Sequence, residues 1–325
     1  MSEMICAVCK QGKGPEKCEI CGFSDDGAVN REFINAEDAN YWLETVVKPY
    51  RRVWEARKRE AELLALLEAS RNNEKKLLGE LEQMKAVAKE RENVRPVLID
   101  DKIGMEMVFV QGGAFMMGGT SEQVDAYDSE KPVHEVTLSD FYIGKYPVTQ
   151  KQWWQMMGNN PSKFAGDNLP VERISWNDVQ EFLSKLRSMT GKQYRMLTEA
   201  EWEFAARGGT KGKGYIYAGS NNLNDVGWYQ ENSGSKTHPV GAKQPNELGI
   251  YDMSGNVWEW VNDWYGPYSS SKQTNPTGPS SGSYRVARGG SWADDAGACR
   301  VSIRFNDHPG FRYYLIGFRL ALSSP

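Results

Sequence analysis

What this chain lacks narrows what it can be. Its 325 residues include three histidines and five cysteines, and four of the cysteines fall within the first 21 positions. The large remainder is therefore not a disulfide scaffold. No apolar run approaches the roughly 20 residues needed to span a bilayer. The start, MSEMICAVCK, has no apolar signal-peptide core. The expectation is a cytoplasmic protein that makes no membrane contact. An excess of basic charge is also missing: the formal net charge of −4 argues against a general nucleic-acid binder. Hydrophobic content of 40% and charged content of 25% are ordinary for a globular chain. The length allows a large core plus an accessory region. All but two of the eleven tryptophans lie beyond residue 150, which points to a big C-terminal domain with an aromatic-rich core.

The cysteines at the start are paired by spacing. In CAVCKQGKGPEKCEICGF, Cys6 and Cys9 form one CxxC turn, and Cys18 and Cys21 form another. Two such turns can supply four thiolates to a tetrahedral zinc. The alternative is two redox pairs or unligated thiols. So short a stretch has no core of its own, so the metal would supply its folding energy. The expected role is a structural zinc knuckle, or a docking one, over residues 1–25.

Residues 26–93 read as helical. There is no Gly or Pro between Tyr50 and Leu78, and Ala, Leu, Glu, Lys and Arg dominate. Val53, Leu67, Leu81 and Ala88 share one heptad position; Ala56, Leu63, Leu77 and Met84 share the other. Glu60 and Glu74 interrupt the first series. The pattern suits a moderate coiled coil, or a helical hairpin broken at SRNNE. A single solvated helix is the plainer alternative. Self-association or docking of an effector is the expected use. Residues 94–104 are assigned to a polar, Pro-containing linker.

From residue 105 to 325 the chain reads as one mixed α+β domain with much irregular backbone. MEMVFVQGGAFMMGG suggests a hairpin turning at Gly112–Gly113, and HEVTLSDFYIGKYPVT a further strand. TQKQWWQMMG and SWNDVQEFLSKLRSMTG suggest amphipathic helices, the second capped by Ser175 and ended by Gly191. In LTEAEWEFAARGG, Thr198 and Glu201 form a capping box and Gly208 terminates. After Gly209 the chain is rich in Gly, Asn, Ser and Pro. Such a region stays ordered through ions or dense side-chain hydrogen bonding.

Four motifs, YRMLTEAEWEFAARGG, PNELGIYDMSGNVWEWVNDWY, RVARGGSW and GFRLA, stand in that order. Together they resemble the formylglycine-generating-enzyme-like (sulfatase-modifying factor) family over about residues 105–323. The resemblance implies a C-type-lectin-related fold with little regular secondary structure and bound calcium. That family includes copper oxidases, iron-dependent sulfoxide synthases and ligand-binding proteins without known catalysis, so fold alone does not decide function.

In DMSGNVWEW, Asp252 and Glu259 bracket a Gly-containing turn, and hard oxygen ligands on a tight loop suit Ca²⁺. A capped turn over a buried Trp258 is the alternative. The resemblance implies calcium ligands at Asp252, Glu259 and the carbonyls of Gly255 and Val257. It implies a second site on NDVGWYQENSG, at Asp225, Val226, Asn232 and Gly234, although the spacing there differs.

The family's oxidases hold copper(I) between two cysteines five residues apart after the GGS turn. Here the second falls on Cys299 and the first on Asp294, a carboxylate that a soft ion does not favour. Ser291 matches the family's site serine but does not restore the pair. Cys299 then reads as a small buried residue. The iron enzymes need a histidine-rich site, and His134, His238 and His308 do not stand in a facial-triad pattern.

The last absence is in the tail. From Ala293 to Ile316 there is no Lys, Glu, Gln, Met or Trp. These five are the residues that no codon ending in a pyrimidine encodes. Randomising the adenines of Asn-type codons yields any residue but these, which is the expected mark of a diversity-generating retroelement. Fixed GGSW, CRV and GFRLA separate the changeable candidates: Ala293, Asp294, Asp295, Ser302, Ile303, Phe305, Asn306, Asp307, His308, Gly310, Phe311, Tyr313, Tyr314 and Leu315. Aromatic, acidic and amide side chains of this kind make an adaptable binding face. An ordinary lectin-like C-terminus of coincidental composition is the alternative. The function expected is a non-catalytic binder of protein or another macromolecule through this face, with structural zinc and calcium. A metal-dependent oxidoreductase, or an ordinary structural or interaction module, is the alternative.

Overall fold

The computed structural model describes residues 48–92, 98–100, 102–123 and 125–323, with Tyr41, Glu44 and Thr45 before them. Cys6, Cys9, Cys18 and Cys21 lie outside the described residues. The chain divides into two units, Met1–Val94 and Arg95–Pro325.

In the first unit, Lys48–Glu92 forms one helix of 45 residues, α1. It runs unbroken through SRNNE, so the hairpin alternative does not hold there. Strong helix formers on both sides carry the helix across Asn72 and Asn73. Leu63, Leu67, Leu77, Leu81 and Met84, all heptad positions, are exposed.

The second unit starts inside the stretch assigned to a linker. β1 (Leu98–Asp100) pairs antiparallel with β2 (Met105–Val110). Asp100 is buried there and accepts hydrogen bonds from Tyr194 Oη at 2.7 Å and Lys192 Nζ at 2.9 Å. The expected hairpin at Gly112–Gly113 does not form. β3 (Gly113–Met117) pairs instead with β4 (His134–Leu138), and β2 pairs with β5 (Phe141–Gly144). The chain changes sheets at Gly112, where a Cβ would stand 2.2 Å from the Leu138 carbonyl oxygen. The stretch HEVTLSDFYIG likewise becomes two strands in different sheets, joined by a turn whose Asp140 accepts the Gly112 N–H at 2.8 Å.

The helices follow their caps. α2 (Gln150–Met157) begins at Thr149 and ends at Gly158; α3 (Trp176–Thr190) begins at Ser175 and ends at Gly191, and both glycines are left-handed. After β6 (Tyr194–Met196), α4 (Glu199–Ala206) is capped by Thr198 with Glu201, and α5 (Leu223–Val226) is a single turn. The remaining strands are β7 (Trp258–Trp264), β8 (Gln273–Thr274), β9 (Arg285–Arg288), β10 (Arg304–Asp307), β11 (Ile316–Phe318) and β12 (Leu320–Ser323). They complete three sheets, in the orders β1-β2-β5-β12-β6, β10-β9-β7-β11 and β3-β4-β8. The architecture is mixed α+β.

Aromatic packing joins the layers. Trp153 stacks on Phe182 at 5.3 Å, and both meet Phe318 edge-on. The irregular stretch between α4 and β7 is held by side chains that act as backbone partners. Asn246 donates to the Ala205 carbonyl at 2.7 Å and accepts the N–H groups of Leu248 and Ile250. Dense hydrogen bonding of this kind is one of the two devices such a region requires.

Candidate functional site

The tail reaches the surface at the edge of the four-stranded sheet. β10 is its outermost strand, pairing only with β9, with Phe305 opposite Ala287. A left-handed double-glycine turn precedes it. Gly290 has φ 76°, and a Cβ there would lie 2.6 Å from Cys299 Sγ. The turn therefore closes directly onto Cys299.

The candidate positions separate by burial. Asp295, Phe305, His308, Gly310, Phe311 and Tyr313 are exposed; Ala293, Asp294, Asn306, Asp307, Tyr314 and Leu315 are partly so. Ser302 and Ile303 are buried, which corrects their place on the face. Ser302 Oγ donates to Glu130 Oε2 and accepts from Arg300 Nη1 at 3.1 Å, and Ile303 sits in the aromatic core. The arginines on either side, Arg300 and Arg304, are drawn inward to Glu130 and Glu199 and take the intervening backbone with them.

Two of the exposed positions, Phe305 and Tyr313, join a terrace of aromatic rings. Trp258 packs against Phe305 at 5.2 Å between centroids, Trp292 against Tyr314 at 5.9 Å, and Tyr314 against Tyr313 at 4.7 Å. Trp258 Nε1 donates to Asp294 Oδ2 at 2.9 Å, and Ser291 Oγ donates to the same oxygen. Asp294 thus positions the ring on which Phe305 lies. Sequence reasoning missed three neighbours. Phe164 meets Trp292 edge-on at 5.5 Å, Lys163 Nζ stands 4.3 Å from the Tyr314 ring centroid, and the Arg173 N–H donates to the Tyr313 carbonyl at 3.1 Å. Nothing in periodicity marks them, because they come from the loop before α3.

Cys299 is wholly buried and unpaired. Burial, then the charges of Asp294 and Asp295, push its thiol well above the ordinary range. It is held as a neutral thiol, and the position five residues earlier is a carboxylate engaged by two donors. The histidines stand apart. His134 meets the Pro132 carbonyl at 3.0 Å, His238 stacks on Trp228 at 3.7 Å, and His308 is exposed on the tail. Among the described residues no group of three or more His, Cys, Asp or Glu side chains is placed to hold a metal.

The calcium expectation falls on two carboxylates and two carbonyls. Glu259 Oε2 accepts from Trp202 Nε1 and Arg319 Nε, and Oε1 accepts from Arg319 Nη2, each at 2.7 Å. Asp252 Oδ2 accepts the Gly241 N–H at 2.7 Å, and Oδ1 accepts from Asn256 Nδ2 at 3.3 Å. Burial, with a contribution from the Glu259 charge, pushes Asp252 up to about 6. Both acids are buried, and the positive charge that faces Glu259 here is that of Arg319. At the second set, Asp225 accepts from Ser220 Oγ at 2.9 Å and Asn222 Nδ2 at 3.1 Å. Asn232 donates to the Gly227 carbonyl at 3.0 Å, Val226 is buried on α5, and Gly234 is left-handed at φ 61°.

Comparison with known proteins places these features in context. The model of the sulfatase-modifying factor enzyme 1-like domain matches residues 99–324. The chaperone protein LppX of Paenibacillus barcinonensis is 37% identical over 248 residues, covering 61% of this chain and 82% of that protein. The formylglycine-generating enzyme of Thermomonospora curvata is 30% identical over 294 residues, covering 68% of this chain and 94% of that protein. Among solved structures, variable protein 1 of Treponema denticola matches with a TM-score of 0.63 and 34% identity, covering 68% of this chain and 95% of that one. The chain spans 40% of a further relative, the serine/threonine-protein kinase pkn1 of Chlamydia caviae.

Proposed function

The chain belongs to the sulfatase-modifying factor enzyme 1-like family, and within it we propose a binding role: a non-catalytic protein that holds a macromolecular ligand on the face built by residues 293–315. The observation that carries this reading is Asp294. It stands where an oxidase of the family would place a thiolate, and its carboxylate is committed to Trp258 and Ser291. The remaining thiol, Cys299, is buried and neutral. Near it in the tail, Phe305, Phe311 and Tyr313 are 38%, 52% and 40% exposed, with Phe305 against Trp258 and Tyr313 against Tyr314. Exposed aromatics are the usual anchors of a binding hot spot.

The similarity to a protein named as variable supports a finer reading. The exposed positions are changeable, as the codon-restricted composition suggests, while buried arginines keep the backbone in place. A near-copy of this region rich in adenine, next to a reverse-transcriptase gene, is the expected genomic setting. The heptad leucines of α1 are proposed to self-associate or dock an effector. Light scattering that finds the full chain monomeric would leave only the docking half.

The catalytic alternative has a direct test. The protein is incubated with copper(I) and a cysteine-containing peptide, and the peptide is read by mass spectrometry. No formylglycine is expected. A product that disappears in Cys299→Ser would establish the oxidase instead.

A further inference from the structure

Two cations border the aromatic terrace, and among the described residues neither forms an ion pair. Lys163 Nζ lies 4.3 Å from the Tyr314 ring and 5.2 Å from that of Phe164. Arg173 is exposed and holds φ 60°, a left-handed conformation that a residue with a side chain seldom adopts. One buried group holds the Lys163 backbone and directly precedes Arg173. Glu172 is 0% exposed, and its Oε1 accepts the N–H of Lys163 at 2.5 Å and of Phe164 at 3.0 Å. Its Oε2 has no partner, and Arg173 follows it directly in the chain. The Arg173 N–H, bonded to the Tyr313 carbonyl, ties this unit to the tail.

Of the described acids around the terrace only Asp178 is neutralised by a cation; Asp294, Asp295 and Asp307 keep their charge, and all three stand at changeable positions. Asp294 serves Trp258 and Ser291, Asp295 accepts the Ala298 N–H, Asp307 accepts the His308 N–H, and Asp178 pairs with Arg312. The charges at this edge that do not belong to the tail are those of Lys163, Arg173 and the buried Glu172. They lie outside residues 293–316, so they stay the same whatever the changeable positions become.

We infer that Lys163 and Arg173 form a fixed cationic edge to the binding face, which selects partners presenting an acidic polypeptide segment beside an aromatic or apolar side chain. This rests on the binding reading above and narrows its ligand to one class. A lysine over a tyrosine ring keeps its charge while the ring face holds it in place. On a chain of net charge −4, such an edge orients an acidic partner that the rest of the surface repels. Two cations are too few for nucleic acid, whose binding neutralises many phosphates at once.

The test uses the full chain and two short labelled peptides, one of glutamate and tyrosine and one with glutamine in place of glutamate, titrated by fluorescence anisotropy at low and high salt. The glutamate peptide is expected to bind about tenfold more tightly than the glutamine peptide, with the difference shrinking as salt rises. Lys163→Gln and Arg173→Gln should each weaken the glutamate peptide about three- to tenfold. Lys213→Gln, an exposed cation elsewhere, should not. Arg173→Gly separates folding from binding: it relieves the backbone, so the melting temperature should rise while binding falls. Equal binding of the two peptides, no binding of the acidic one, an equal loss with Lys213→Gln, or preference for a single-stranded oligonucleotide would each overturn the inference. If the Lys163 and Arg173 variants bind normally while Phe311→Ala and Tyr313→Ala lose both peptides, the edge is wrong and the face stands. If Phe311→Ala and Tyr313→Ala also bind normally, the face itself fails.

Discussion

Arg300 and Glu130 meet in a buried two-pronged pair, Nη1 to Oε2 and Nη2 to Oε1 both at 2.8 Å, across 170 residues of sequence. The two-pronged pair recurs in Arg304 with Glu199 and Arg319 with Glu259, and Arg288 meets Glu203 through Nη2 alone. All four glutamates lie outside the tail. The tail is thus held from below by charge; Val301, Ser302 and Ile303 are buried between Arg300 and Arg304, and the side chains from Phe305 to Leu315 are left exposed or partly so. Removing one partner strands a buried charge, so Glu130→Gln should cost about 3–5 kcal/mol in chemical denaturation. Arg312→Gln, which breaks a pair whose cation is 58% exposed, should cost about 1 kcal/mol or less. Equal effects from the two variants would contradict this division of labour.

Glu172 supplies a pH signature. Burial is the main cause that pushes its carboxyl up to about 6 from an ordinary 4.5. A carboxyl whose folded pKa is raised binds its proton more tightly in the folded state. Its contribution is therefore most favourable below about pH 4.5 and is lost as pH rises through about 6. Glu172→Gln should remove that slope and raise stability at neutral pH by up to about 2 kcal/mol. Melting curves across this range that keep the same slope in the variant would refute the assignment.

The sequence was most legible where local chemistry acts alone. Thr149, Ser175 and Thr198 mark helix starts by bonding the N–H three residues on, and each helix starts there. Strand partners were not legible. The glycines at 112 and 113 signal a turn in either arrangement, and only the close approach of Gly112 to Leu138 selects a change of sheet. The buried places of Ser302 and Ile303 depend on where Glu130 and Glu199 stand, over 100 residues away. Lys163 joins the site through the Tyr314 ring and Arg173 through its N–H to the Tyr313 carbonyl, contacts that no spacing rule encodes.

Cys299 should behave as an inert core thiol. In the native protein, alkylation at this residue, followed by peptide mass spectrometry, should be slower than in denaturant by about three orders of magnitude or more, since reaction awaits unfolding. Rapid native labelling would mean an accessible thiolate and would reopen the catalytic reading.

Metal content tests two proposals that the fold leaves to chemistry. Elemental analysis should find about one zinc per chain, lost when Cys6 and Cys18 are both replaced by serine. If calcium joins Asp252 and Glu259, a calcium chelator should lower the melting temperature of the full chain by mass action. An unchanged melting temperature would leave Arg319 as the sole positive partner of Glu259.

The central claim is that the exposed tail positions form a changeable binding face on a fixed framework. The most direct measurement is surface display of a library randomised at Phe305, Asn306, His308, Phe311, Tyr313 and Tyr314, scored for folded display and for enrichment on one purified protein target. The account predicts that most members display like the parent and that target-specific clones emerge. A matched library at Val301, Ile303 and Ile316, all buried, should lose display. Collapse of the first library to the level of the second would contradict the claim, because it would show that these side chains hold the fold together.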